Sequence, residues 1–323
     1  MLSTNQLMKY LRDHHNIAVK SNQAQALRNI GYYHGFKGYR FIRTPKQRIA
    51  FSSLDEVIAL NKFDMQLKAI YYPKVMFIEN ALKSYVIEAI LKDSKSETLD
   101  AIFEKSIIDY KSYVPGSSQY HKQYAKRMIL KGKINSALLR DYSNERQVVN
   151  HFFDNDRPIP IWAIFESLTL GEFGTFFSCA SSNVKLTTSS ILSLPKNLDS
   201  DGKITEYIIY TIKDLRNAVA HNNTIFDTRF QTSSINNRLL SLLEKEIGIS
   251  GLDFKYIGAY TILITYVLRK MGVTKTECKQ FISSFAECTD LLRTQMSSDV
   301  CNHILGTQQR VHLRKLQDFI SNS

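Results

Sequence analysis

KITEYIIYTIKDLRNAVAHNNTIFD, residues 203–227, decides the reading of this chain. At about 100° per residue, Ile208, Ile212, Leu215 and Val219 fall within roughly 60° of one another and form an apolar stripe. Asn217 lies opposite that stripe, with Asp214 and His221 beside it. Asn217 and His221 are i,i+4 neighbours on one face. Arg216 flanks the stripe on a side chain long enough to swing toward the polar face. The histidine therefore stands outside the core. Either it decorates a solvated helix face or it is presented to something.

The rest of the chain reads mostly as helix. TNQLMKYLRDHH, with Thr4 at its start, and residues 22–30 form two short helices, the second ended by Gly31. YYHGFKGYRFI (32–42) carries two glycines and several β-formers and predicts a short strand or hairpin. Residues 53–93 read as helix, break at Pro73, then a long helix with the stripe Met76, Ile78, Leu82, Val86, Ile90. A basic helix follows over about 119–140. Pro158 and Pro160 introduce IWAIFESLTLGEFGTFFSCA (161–180), apolar except at Glu166 and Glu172, with Trp162 and the phenylalanines as core. Gly171 and Gly174 in that segment permit a close helix approach. After a loop over 181–203 with one short helix, residues 204–222 and two or three helices in 234–292 complete the pattern. The fold class is all-α, mainly α with a small β element near the N-terminus. Three segments are expected: 1–50, a helical core over 51–245, and a C-terminal helical region over 246–323.

Composition excludes several classes. The chain has 323 residues with 6 Pro and 13 Gly, which is neither collagen-like nor Pro/Gly-rich disordered. No apolar run approaches the roughly 18 residues of a bilayer span, and the start has no apolar leader, so a cytoplasmic protein is expected. The four cysteines are scattered without a CxxC pair, consistent with free thiols. No zinc-site spacing occurs, and neither metal nor cofactor is implied.

The formal charge of +12 favours polyanionic partners. One basic cluster, His34, Lys37, Arg40, Arg43, Lys46 and Arg48, is interleaved with tyrosine and phenylalanine; a second is Lys122, Lys126, Arg127, Lys131 and Lys133. A third, Arg310, His312, Arg314 and Lys315, lies near the C-terminus. Cations beside rings suit RNA, because phosphates are neutralised while bases stack. A merely solvated face is the competing reading. Glu79 and Glu166 sit in apolar helices and each calls for a buried partner, whether a structural ion pair or a group that orients a site.

Arg216-Asn217-Ala218-Val219-Ala220-His221 matches the Arg-x4-His motif of the HEPN superfamily (higher eukaryotes and prokaryotes nucleotide-binding). PIPIWAIFESLTLGEFGTFF (158 onward) resembles the Pro-Ile-Trp…Glu…Gly signature of Abi-like abortive-infection proteins of the AbiD/AbiF type. RNIGYYHGFKGYRF and FIENALKSYV resemble the same family's N-terminal and Ile-Glu segments. These matches keep the family's order over about residues 5–245. Arg28 and His34 also fit a looser spacing, but Gly31 interrupts them.

The resemblance implies a HEPN-like helical bundle with additional helices and a phage-defence or toxin-like role. It implies a metal-independent endoribonuclease that works as a homodimer, leaving 2′,3′-cyclic phosphate and 5′-OH ends. On that resemblance Arg216, His221 and Asn217 are the catalytic candidates, with Asp214, Glu166 and Glu79 in support. RNA is the expected partner, as substrate or as a regulatory noncoding RNA, with Lys37, Arg40, Arg43, Lys122, Lys126, Arg127 and Lys131 as contacts. Histidine titrates near neutrality and can move protons, and arginine stays cationic beside a phosphorane. Some relatives extend the motif by a tyrosine two residues past the histidine, where a partner enzyme modifies them. Here that residue is Asn223, which argues against such a control. A catalytically silent RNA-binding scaffold is the alternative.

Overall fold

The computed structural model describes residues 2–322. Fifteen α-helices follow in chain order: α1 (Thr4–His15), α2 (Ala24–Ile30), α3 (Leu54–Ser94), α4 (Leu99–Lys105), α5 (Ser118–Ser143), α6 (Gln147–Phe153), α7 (Ile161–Ser167) and α8 (Leu170–Cys179). Then come α9 (Ser182–Ile191), α10 (Ile204–Ala220), α11 (Asn237–Ile247), α12 (Ile257–Lys270), α13 (Lys275–Gln295), α14 (Ser298–Leu305) and α15 (Gln309–Asn322). The all-α expectation holds. No helix among the described residues is long and apolar enough to cross a membrane.

The small β element expected near the N-terminus does not form. Residues Gly31–Lys37 wind as a π-helical turn instead. Glycine permits it: a Cβ on Gly35 would stand 2.6 Å from the Ile30 side chain and carbonyl. Among the described residues β pairing is confined to isolated bridges, of which Phe41 with Arg48 and Ala18 with Ser53 lie in this region.

Two further readings change. Pro73 does not break α3, which runs for 41 residues. The proline lies on the exposed face, where the carbonyl of exposed Ala69 is left to solvent. The opposite face (Leu67, Tyr71, Val75, Ile78) is fully buried and outweighs the lost bond. Conversely, residues 161–179 are two helices. Thr169 caps α8 in a reciprocal capping box with Glu172. The carbonyls freed at the end of α7 are taken by side chains: Arg140 donates to Ser167, and Lys83 to Leu168 at 2.8 Å. Trp162 is 44% exposed rather than core, touching Phe152 edge-on, while Phe165, Phe173, Phe176 and Phe177 are buried.

Contacts cluster into two compact units, residues 1–76 with 214–323, and residues 77–213. In the first, α12 is buried from Ile257 to Leu268 and packs with α11, α13, α14 and α15. Tyr71 of α3 joins this core through Thr261 at 2.7 Å and the rings of Phe281 and Phe285. In the second, α5 packs against α6, α7 and α8.

The two glycines of α8 behave differently. A Cβ on Gly174 would meet Tyr210 at 3.0 Å and Ile209 at 3.2 Å, whereas one on Gly171 would meet only the Lys213 stem at 3.5 Å. Gly174→Ala should therefore cost about 1–3 kcal/mol through overpacking. Gly171→Ala should be neutral or stabilising by up to about 1 kcal/mol. Urea midpoints of the two variants check this, and equal shifts would refute the close approach at Gly174.

Candidate active site

The candidate residues converge on the last turn of α10. The stripe read from the sequence is buried throughout: Ile208, Ile212 and Leu215 are inaccessible and Val219 nearly so. Arg216 and Asn217 are half-buried and His221 is exposed. The Arg216 guanidinium donates to Asn217 Oδ1 at 3.3 Å, and His221 N donates to the Asn217 carbonyl at 3.0 Å. The three residues thus stand along a little over one turn at the end of the helix.

Local chemistry fixes where the helix stops. Asn222 adopts φ 54°, in the left-handed region that asparagine tolerates. Asn222 N donates to Val219 O at 3.2 Å and Asn223 N to Ala218 O at 2.8 Å. These two bonds are a Schellman motif, and they place His221 at the helix C-cap.

A buried polar system holds that turn from α3. Lys68 Nζ pairs with Asp64 at 2.7 Å and donates to Asn222 Oδ1 at 2.8 Å. Asp64, wholly buried, accepts from Ile225 N and Phe226 N at 2.7 and 2.8 Å, and from the Tyr39 hydroxyl at 2.7 Å. Burial and the Asp64 carboxylate push the Tyr39 phenol far up, so it remains a donor. The chain after the turn is clamped again. Asp227 accepts from Arg43 N and from the Arg229 guanidinium, which also donates to the carbonyls of Gly38 and Phe41, both at 2.7 Å.

Of the supporting candidates, Asp214 is buried and accepts from the Thr232 amide and hydroxyl at 2.9–3.0 Å, anchoring the chain that leaves the turn. Glu79 and Glu166 belong to the other unit. Glu79 is buried beside Lys83 at 3.2 Å, the structural pairing foreseen for it. Glu166 is exposed and has no need of the buried partner expected for it. Arg28 donates to Thr4 Oγ1, a packing role.

The basic candidates also divide. Lys37 lies over the rings of Tyr32 and Tyr33. Arg40 lines a cleft with Arg48. Arg43 is spent on structure, donating to Lys255 O at 2.8 Å. In the second unit, Lys122, Lys126 and Lys131 are exposed on α5. Arg127 and Lys131 lie over Phe103, beside the ring group Tyr110, Tyr120 and Tyr124.

Sequence reading missed Asp64, Lys68, Asp227 and Arg229. A signal existed for the first two: an i,i+4 carboxylate–ammonium pair on the same helical face as Leu60, Leu67 and Tyr71 is a buried charge that must have partners.

A family model described as Abi-like protein matches residues 25–227. The chain belongs to this family. No curated protein and no solved structure matches the chain. The Abi-like match takes in Arg216, Asn217, His221 and the Asp64–Lys68–Asn222 anchor, and it leaves α11–α15 outside. Membership in the Abi-like family suggests a role in abortive infection, a phage-defence response.

Asp64→Asn removes one charge from a buried pair while keeping its shape. It should cost about 3–5 kcal/mol, because Lys68 is left uncompensated. Adding Lys68→Met should recover part of the loss, read as a coupling in denaturant titrations. A loss below about 1 kcal/mol for Asp64→Asn would show that the pair is not the anchor.

Proposed function

We propose that this Abi-like protein is a HEPN-type endoribonuclease acting in phage defence, with Arg216 and His221 as its reacting groups. The observation that carries the reading is an exposed imidazole a little over one turn from a half-buried arginine, at a helix end fixed by a buried anchor. Reacting groups held on a rigid element are what preorganised catalysis needs.

The chemistry is transesterification within RNA. The ribose 2′ oxygen attacks the adjacent phosphorus, an O–P bond forms to the 2′ oxygen, and the bond to the 5′ oxygen of the next nucleotide breaks. A base takes the 2′ hydroxyl proton and an acid protonates the leaving 5′ oxygen. The products are a 2′,3′-cyclic phosphate and a 5′ hydroxyl, and the step requires no metal ion. One imidazole cannot be base and acid in the same turnover step, so two copies of the chain meeting at a shared groove supply both. Arg216 stabilises the charge on the phosphorane oxygens, and Asn217, which accepts from Arg216, sets the guanidinium's direction. RNA is held by cations beside rings, for which α5 with Lys122, Lys126, Arg127 and Lys131 is the best surface.

In an EDTA-containing assay on total RNA, His221→Ala should lower cleavage by about 10²–10⁴ and Arg216→Ala by about 10²–10³. Both should remain folded, and wild-type product ends should be cyclic phosphates. A folded wild type that cuts nothing, once co-purified nucleic acid is stripped, would favour the silent RNA-binding module instead. Lys126→Ala with Arg127→Ala should weaken RNA binding and reduce its salt slope by about one to two units. Unchanged affinity would move the RNA surface away from α5.

A further inference from the structure

The first unit contains a cleft that the proposed nuclease chemistry does not use. It has a volume of about 450 Å³, and its walls include His14, His15, Phe36, Arg40 and Arg48. Clefts of roughly 300–1,000 Å³ are the size that holds small molecules. Four of the lining side chains are basic and none is acidic.

Two features set these groups apart from the other basic residues nearby. The Arg229 guanidinium is consumed by Asp227 and the carbonyls of Gly38 and Phe41, and the Arg43 guanidinium donates to the Lys255 carbonyl. Among the described residues, Arg40 and Arg48 have no ion pair and no side-chain hydrogen bond. The chain nevertheless holds them in place: Ile49 N donates to Arg40 O at 2.9 Å, and Ile42 N to Gln47 O at 2.8 Å. His15, packed edge-on to Phe36, keeps a buried Nε2 without a hydrogen-bond partner. A buried polar atom without a partner costs stability, and a ligand can supply what it lacks. Burial and the charges of Arg40, His14, Lys37 and Arg48 hold the His15 imidazole below its ordinary value, as expected in a positive field with no counter-ion.

We propose that this cleft binds the phosphate of a nucleotide, gripped by Arg40 and Arg48 with His15 beside them. Guanidinium forks match the oxygens of a phosphate, and charge-assisted bonds of this kind are the strong ones. The cleft is larger than a bare anion requires, and Ile17, Phe36 and Phe51 give it an apolar side for the nucleoside. The phosphate can come from a free mononucleotide or from the 5′ end of an RNA. The inference does not rest on the nuclease reading, since it concerns binding alone.

The test is calorimetric titration of the full-length protein, freed of nucleic acid, with adenosine 5′-monophosphate and with adenosine. The monophosphate should bind and adenosine should bind at least about tenfold more weakly. Arg48→Gln, on an exposed side chain, should weaken the monophosphate at least about tenfold without loss of fold, and Arg40→Gln likewise. Lys9→Gln, an exposed change outside the cleft, should stay within about twofold, which separates a site from general charge. Equal binding of adenosine and its monophosphate, no binding by folded wild type, or an unaffected Arg48→Gln would each overturn the proposal. A second arm compares one short oligoribonucleotide with a 5′ phosphate and with a 5′ hydroxyl. Tighter binding of the phosphorylated form, lost in Arg48→Gln, assigns the site to RNA ends. No difference, together with monophosphate binding, assigns it to free nucleotides.

Discussion

The carboxylate of Asp64 receives two backbone N–H groups, a tyrosine hydroxyl and the ammonium of Lys68, and through these partners it joins three distant stretches of chain. Taking a carboxylate and an ammonium out of water costs several kcal/mol each, and a lone pair of charges seldom recovers that. Here every acceptor direction is used, so the buried pair is held by its whole neighbourhood rather than by one Coulomb contact. The consequence is geometric. The turn that follows His221 cannot shift unless α3, the segment at Tyr39 and the chain at Ile225 shift with it. The Schellman bonds fix the last residues of α10 locally, and Lys68 reaching Asn222 ties that local motif to the core.

How much of this was legible in sequence follows from what each signal measures. Helical periodicity reports which side of an isolated helix is apolar, so the buried stripe of α10 and the exposure of His221 were readable. Periodicity does not report what comes back to cover the polar side. Asp214 was placed on the solvated face, yet the returning chain at Thr232 buries it. Pro73 was read as a break because its cost is local and visible, while the burial that outweighs it is tertiary. In 161–179 the error ran the other way: continuous apolar character concealed a helix end that Thr169, Glu172, Lys83 and Arg140 satisfy with side chains. The aromatic, glycine-rich stretch near residue 35 has strand-like composition, and only the tight contact of Gly35 with Ile30 explains why it winds instead. The buried pair was the reachable part of the missed site, since charges on an apolar stripe always demand partners; Asp227 and Arg229 had no such signature.

The basic residues illustrate a general point about reading charge. A net excess of +12 treats each cation as equivalent, but structure sorts them by what they already hold. Arg229 neutralises the buried Asp227 carboxylate and the Arg43 guanidinium donates to the Lys255 carbonyl, so both have little left for a ligand. Lys37, Arg127 and Lys131 sit on aromatic rings, where an approaching base or phosphate finds both a plane and a charge. Among the described residues, the Arg40 and Arg48 side chains have no ion pair or hydrogen bond, and no acid lines their cleft.

His221 stands at the C-cap of α10 and is exposed. Exposure gives access but also full hydration, which weakens every electrostatic interaction that transition-state stabilisation relies on. On the proposed nuclease reading, an isolated copy of this chain would present its reacting groups on a fixed turn but in a poor medium. A surface that closes over the turn removes water without needing to rebuild the geometry, since the anchor beneath already fixes it. A second copy of the same turn is well suited to that role, because it excludes water and brings the complementary proton-transfer group in one step. On that reading rigidity would belong to the single chain and the catalytic environment to an assembly. Selection on the motif would then act on two separate demands: the buried residues that hold the turn still, and the exposed ones that meet across it.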